Sequence, residues 1–239
     1  MKKVIIIGST SGIGKGLAER FAANNYKVGI TGRRKELLLE LKDENPDVYL
    51  TKVLDVTDTA SSIQQFEELT NELGGLDLLV ISSGIGEINE ALDFEIEKQT
   101  IDTNIVGFTS IADWTFNYFE KQQSGHLVVI SSIGGIRGSS QAPSYNASKA
   151  YQINYTEGLR QKAAKLKMPI FITDIRPGLV DTKMAKGEGL FWVMPLEKAV
   201  NQMYNAIIRK KKVVYVTKRW HLIALILKIA PRWIYDRFS

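Results

Sequence analysis

Cysteine is absent from the 239 residues. That excludes disulfides, thiol chemistry and thiolate metal sites, and it suits a reducing cytoplasm, the expected location. Histidine is nearly absent too. His126 and His221 are the only two and stand far apart in the chain. Neither a histidine-built metal centre nor a Ser-His-Asp triad is supported, and no metal site is expected. His126 is expected to begin a strand and His221 to lie on a helix surface. No unbroken apolar run reaches the roughly 20 residues that a bilayer-spanning helix needs. The first residues pass directly into an apolar strand, so no signal peptide is expected ahead of the fold. Repeats, low-complexity segments and a linker that would divide domains are likewise missing.

What is present is a regular alternation. Apolar residues make up 44% of the chain, enough for a sizeable core. Short apolar runs at 3–7, 27–31, 49–54, 77–81, 126–131, 170–175 and 213–216 read as strands. Amphipathic segments at 13–24, 35–44, 59–73, 93–119, 144–166 and 196–210 read as helices. This order predicts an α/β fold with a parallel sheet and helices on both faces. Residues 1–218 form the expected single domain, and 219–239 a basic, apolar helical tail.

The first strand, Lys2 to Ile7, enters Gly8-Ser9-Thr10-Ser11-Gly12-Ile13-Gly14, and a helical pattern of Leu17, Ala18, Phe21 and Ala22 follows. Strand, glycine-rich turn and helix start make a dinucleotide pyrophosphate site, where backbone N–H groups and the helix dipole face the phosphates. The domain is therefore expected to be a Rossmann-like, doubly wound sheet. A tight turn with no ligand would use the same glycines.

A second signal lies mid-chain, in ISSIGGIRGSSQAPSYNASK. Tyr145 and Lys149 are one helical turn apart and share a face. An ammonium beside a phenol favours the phenolate and lowers the phenol pKa, which makes the phenol a general acid/base near neutral pH. Ser132, at the end of the apolar run Leu127 to Ile130, can direct a hydroxyl at the same substrate oxygen. Taken alone, the spacing also fits a tyrosine beside a solvated lysine.

Together these elements resemble the short-chain dehydrogenase/reductase family over about residues 3 to 216. Gly8, Gly12 and Gly14 match its G-x-x-x-G-x-G turn. Asp55 and Val56 match the segment that contacts adenine in the family. Asn104 matches the catalytic asparagine, and Ser132 stands thirteen residues before Tyr145, the family's usual gap. Pro177, Gly178 and Thr182 match the segment placed at the nicotinamide. The resemblance implies that Asn104, Ser132, Tyr145 and Lys149 are catalytic. It further implies that Lys149 holds the nicotinamide ribose and that Asn104 anchors a water in a proton relay. Cofactor contacts are implied for Thr10, Ser11 and Ile13 within the turn, and for Ser82, Ser83 and Gly84. That last segment departs from the family, which usually reads N-N-A-G there. Serines supply hydroxyls in place of an amide.

Cofactor choice is legible after the second strand, in Gly29-Ile30-Thr31-Gly32-Arg33-Arg34-Lys35. A carboxylate there would bond the ribose 2′-hydroxyl of NAD, whereas a basic residue accommodates the 2′-phosphate of NADP. Gly32 holds the acidic place, and Arg33 with Arg34 offers cations, so NADP(H) is expected. The expected activity is interconversion of a carbonyl and an alcohol. The other reading is a non-catalytic NADP-binding sensor, which would not need the full set of Asn104, Ser132, Tyr145 and Lys149.

Two segments remain. Residues 179–195 are too long for a simple connection and stand where the family carries a substrate lid. Met184, Leu190, Phe191, Trp192 and Met194 would give the lid an apolar inner face for a lipophilic substrate, or would pack it onto the body. Residues 209–239 carry a net charge of +8, against +5 for the whole chain. Tryptophans and Lys/Arg flank the run from Leu222 to Leu227, which fits a helix in a membrane interface, or one docked in the fold or against another subunit. A homo-oligomer is expected. Nucleic acid is not, because the basic residues are mixed with aliphatics.

Overall fold

The structure is a computed structural model that describes residues 1–185 and 191–231 together with Trp233 and Tyr235. Its chain begins with β1 (Lys2–Ile7), whose run of β-branched residues is buried on both faces. Val4 and Ile6 point to one face, and Ile5 and Ile7 to the other. That alternation creates two cores. On one face lie α1 (Gly12–Ala22), α2 (Lys35–Glu44) and α7 (Leu196–Ile208). On the other lie α3 (Thr59–Leu73), α5 (Phe108–Gln122) and α6 (Pro143–Leu166).

Around β1 stand β2 (Tyr26–Gly32), β3 (Tyr49–Val53), β4 (Leu78–Ile81), β5 (Gly125–Ile130), β6 (Ile170–Pro177) and β7 (Val213–Val216). They form one seven-stranded sheet in the order β3-β2-β1-β4-β5-β6-β7, with every pair parallel. The order reverses between β1 and β4. Ligands of such sheets bind at the carboxyl ends of the strands beside that reversal. The doubly wound architecture is the one the sequence predicts.

One predicted helix, 93–119, differs. It is broken into α4 (Phe94–Ile101), a π-helical turn over Asp102–Gly107, and α5. The cause is a close approach. A Cβ at Gly107 would stand 2.5 Å from the Val56 carbonyl oxygen, so the chain widens its helix where it passes β3's loop. Asn104 sits in this wide turn and is fully buried.

His126 lies in β5 as its second residue, and His221 is exposed on α8 (Lys218–Ile229). The apolar run in the tail is thus helical. Trp220 and Ala224 turn inward and are buried, and α8 packs on β7 and on the turn after Ser132. The opposite face carries Leu222, Leu225, Ile226 and Ile229, all exposed. Among the described residues, no helix is long and apolar enough to cross a membrane.

Candidate active site

The predicted site residues come from turns that follow strands, from the start of α1, from the end of β6 at Pro177, from the π-helical turn and from α6. Gly8 leaves β1 with φ +82, a conformation that favours glycine, and its N–H donates to Thr31 O at 3.1 Å. Its backbone lies against Ser82 and Ser83, where a Cβ would meet Ser83 Cα at 2.8 Å. Gly14 is packed tighter still, with the Gly8 oxygen 2.0 Å from where a Cβ would be. Ser11 is the N-cap of α1 but makes no side-chain cap bond, and the first turn holds no acid. Its N–H groups are therefore without a carboxylate partner in that turn.

Arg34 donates to the hydroxyls of Thr10 and Ser11, the latter at 2.9 Å. It thereby bridges the end of β2 to the glycine-rich turn. Arg33 is exposed beside it. Asp55 folds its carboxylate onto Thr57, accepting from the backbone N–H at 3.0 Å and from the hydroxyl at 2.8 Å, while Val56 is buried. At the far side Thr182 reaches Gly12, with Cγ2 3.4 Å from where a Cβ would stand. Gly178 follows Pro177 and lies flat on the Trp220 indole, where any Cβ would strike the ring at 2.2 Å.

The predicted catalytic set converges on the face of α6. A carboxylate from α4 caps this helix: Glu97 accepts from Ser144 N at 3.0 Å, and its carboxyl is held below the usual range chiefly by the Ser144 side chain, with smaller help from Asn89 and this N–H, against the cost of burial. The Tyr145 ring lies between two glycines. A Cβ at Gly86 would stand 2.5 Å from the ring, and one at Gly134 3.4 Å. Ser132 caps the short 3-10 turn Ile133–Ile136, accepting from Gly134 N at 3.0 Å.

Burial pushes the Tyr145 phenol up, and the hydrogen bond with Ser132 opposes it. The direction is opposite to the depression that the Tyr145–Lys149 spacing predicts. Geometry explains why. The ammonium lies 5.8 Å from the phenol ring centroid and donates elsewhere, to Ile130 O at 3.2 Å and Gln152 Oε1 at 2.9 Å. Lys149 is itself buried, and desolvation lowers its pKa to about 8, against a smaller opposing pull from Asp174.

Asn104 is locked rather than free. Its amide donates to Ile85 O at 2.7 Å and to Ser148 Oγ at 3.0 Å, and its Oδ1 accepts from Ile85 N at 2.9 Å. Ser148 in turn donates to Tyr145 O at 2.8 Å. Ser148 and Gln152 are polar members of this site that reading the motifs missed. The available signal was the helical face itself. Positions 145, 148, 149 and 152 lie on one stripe, and a buried glutamine in such a stripe requires partners.

Over the site, residues 179–181 pair with Met194, through Met194 N to Leu179 O and Asp181 N to Met194 O, both 2.9 Å. This closes the base of the expected lid. Phe191 and Trp192 lean on Trp220, with ring centroids 5.3 and 6.4 Å from it, while Met184 is exposed. Leu190 lies outside the described residues. Among the described residues, no group of side chains could hold a metal ion.

A family model described as short chain dehydrogenase matches residues 2–190. The chain belongs to the short-chain dehydrogenase family. An uncharacterized oxidoreductase of Mycobacterium tuberculosis is 33% identical over 218 residues, covering 87% of this chain and 85% of its own. One from Myxococcus xanthus is 29% identical over 242 residues, covering 98% and 95%. Among solved structures, the closed form of a serine dehydrogenase complexed with NADP+ superposes with a TM-score of 0.79. It is 26% identical, over 90% of this chain and 94% of that one. The fold is that of an oxidoreductase of this family.

The buried ammonium generates a stability prediction. Lys149 titrates near 8 in the folded protein against 10.5 for an ordinary lysine. Between these values the unfolded chain holds a proton that the folded chain has released, so this group makes stability rise with pH there. The stability difference between wild type and Lys149→Met should grow, in favour of wild type, by up to about 3 kcal/mol across that window. Urea denaturation of both proteins at several pH values measures it. A difference that stays flat contradicts the burial of a charged lysine.

Proposed function

We propose that this protein is an NADP(H)-dependent oxidoreductase that interconverts a carbonyl and an alcohol on a small-molecule substrate. The observation that carries this reading is the Tyr145 phenol, hydrogen-bonded with Ser132 and one turn from a buried ammonium, at the carboxyl edge of the sheet. A phenol raised by burial is held in its protonated form, the form that can give a proton to a substrate oxygen. Tyr145 gives its proton to the substrate oxygen. Ser132 hydrogen-bonds that oxygen and orients it. Lys149 stands one turn away with its ammonium 5.8 Å from the ring and, by the family resemblance, holds the nicotinamide ribose. Asn104 ties the loop after β4 to α6.

The residues present fit a dinucleotide. The turn from Gly8 to Gly14 brings backbone so close that side chains are excluded, and it opens a helix whose first turn lacks an acid. Arg33 and Arg34 stand at the end of β2, where the 2′-phosphate of NADP is read in such folds. Asp55, Val56, Ser82, Ser83, Gly84, Pro177, Gly178 and Thr182 line the same edge of the sheet. When bound, the nicotinamide supplies or accepts the hydride at the substrate carbon. The NADP+ held by the serine dehydrogenase supports the same choice here.

The outer face of α8 suggests where this chemistry takes place. Leu222, Leu225, Ile226 and Ile229 recur at helical spacing, all exposed, with Trp233 beyond them. Residues 209–239, which include this helix, carry the +8 net charge. Apolar side chains bordered by tryptophan and cations suit an anionic membrane surface, so the protein is read as peripheral to a membrane and its substrate as lipophilic.

Three experiments test these assignments. Tyr145→Phe should lower turnover by at least a factor of about 100 while leaving NADPH binding intact, as fluorescence titration would report. Near-wild-type rates in the variant, on a carbonyl found by screening NADPH oxidation, would sink the mechanism, whereas NADPH binding by wild type with no carbonyl turned over would favour the sensor. Arg33→Ala should weaken NADPH by about tenfold or more and NADH much less, because a charge-assisted bond to the phosphate is lost. An equal loss for both would remove Arg33 from phosphate recognition. Finally, the intact protein should co-sediment with anionic vesicles at low salt, less so at high salt, and Ile226→Glu should release it. Failure to bind, with self-association abolished by Ile226→Glu instead, would assign this face to a second copy of the chain.

A further inference from the structure

Gln152 is 1% exposed on the α6 face, one turn beyond Lys149. Its Oε1 accepts from Lys149 Nζ at 2.9 Å, and its Nε2 donates to Asn104 O at 2.9 Å. These partners fix the amide's orientation. A flipped side chain would set NH2 against an ammonium and one carbonyl oxygen against another. We propose that Gln152 is a positioning residue of this active site, holding the Lys149 ammonium on one side and the π-helical turn at Asn104 on the other through a neutral link. The proposal rests on the oxidoreductase reading for its purpose, but not for its geometry.

An ammonium has three N–H groups. Ile130 O and Gln152 Oε1 accept two of them, which leaves the third for the open side of the site. A Cβ at Gly84 would stand 3.4 Å from Nζ, so that side is kept clear by a glycine. Gln152 therefore decides where the ammonium points. It also donates to the carbonyl of Asn104, the residue to which the family resemblance gives a water. A water can reorient and pass a proton along, whereas an amide held at both ends does not.

The groups facing Nζ come from several elements. Asp174 in β6 acts on it through its negative charge, and is itself paired with Arg176 at 2.7 Å. Tyr145 lies one turn back on α6, and Asn104 and Gly84 bring only neutral atoms. Against this background the substituent at 152 should govern the charge on Lys149. Leucine removes an acceptor and leaves a buried N–H unpaired. Glutamate, nearly the same shape, places a negative charge beside the ammonium.

The test reads Lys149 directly, without substrate. Protein labelled with 13C at lysine Cε is titrated by NMR, with Lys149→Met to assign the signal. The wild-type midpoint is expected near 8. Gln152→Glu should raise it by more than about one pH unit, and Gln152→Leu should lower it. Circular dichroism and NADPH titration check that each variant is folded. Should Gln152→Leu fail to fold, the near-isosteric Gln152→Glu still decides. Midpoints in folded variants that coincide with wild type overturn the proposal, because a merely space-filling glutamine would leave them in place. Loss of the Tyr145 mechanism would not move these midpoints, so the two failures are distinguishable.

Discussion

A charged ammonium held out of water is the constraint around which this site is built. Lys149 is 4% exposed, and its environment has to supply hydrogen-bond acceptors without much compensating charge. The end of β5 gives a carbonyl, α6 gives a glutamine, and β6 gives a distant carboxylate. Each contribution fixes an element. Gln152 requires the Asn104 carbonyl, which requires the π-helical turn, which requires Gly107 to pass the Val56 carbonyl. Asp174 is fully buried and needs Arg176 and the Ser131 hydroxyl, which joins β5 to β6 beneath the site. Removing one partner of such a buried set leaves another uncompensated.

The second constraint is proximity. A parallel sheet delivers all its strand ends to one edge, and the reversal between β1 and β4 opens a crevice there. The chain then narrows the crevice with glycines at Gly8, Gly14, Gly86, Gly134 and Gly178. Gly8 and Gly14 bring backbone onto backbone, Gly86 and Gly134 hold the phenol ring, and Gly178 lies against an indole. The glycine turn, the phenol and the Pro177-Gly178 segment are thus placed by what their neighbours lack.

The sequence made the sheet readable because β-branched runs buried on both faces leave no alternation to confuse. It also made the proposed catalytic quartet readable, since Ser132, Tyr145 and Lys149 share one short stretch and Asn104 matches the family pattern before it. Other features depend on contacts distant in sequence. The helix break at Asp102–Gly107 answers a carbonyl nearly fifty residues earlier. The direction of the phenol's shift depends on what Lys149 bonds instead, which spacing along one helix does not reveal. Trp220 reads as a membrane-margin residue from its neighbours, yet its ring is the surface on which Gly178 rests.

The loop that follows Ser132 is fastened by α8 and the residues just after it. Arg137 donates to Leu227 O at 2.8 Å and to Ala230 O, carbonyls 90 and 93 residues further on, and its guanidinium lies 5.2 Å from the Tyr235 ring. Tyr235 also donates to Gly138 O at 2.6 Å. The ribosome makes a chain from its amino end, so Ser132 and Tyr145 leave the tunnel long before their loop's fastenings exist. The sheet can assemble as its strands emerge, but the serine's loop cannot be secured until the tail has been synthesised. The fastening of the Ser132 loop is therefore among the last contacts of the fold to become available as the chain is made.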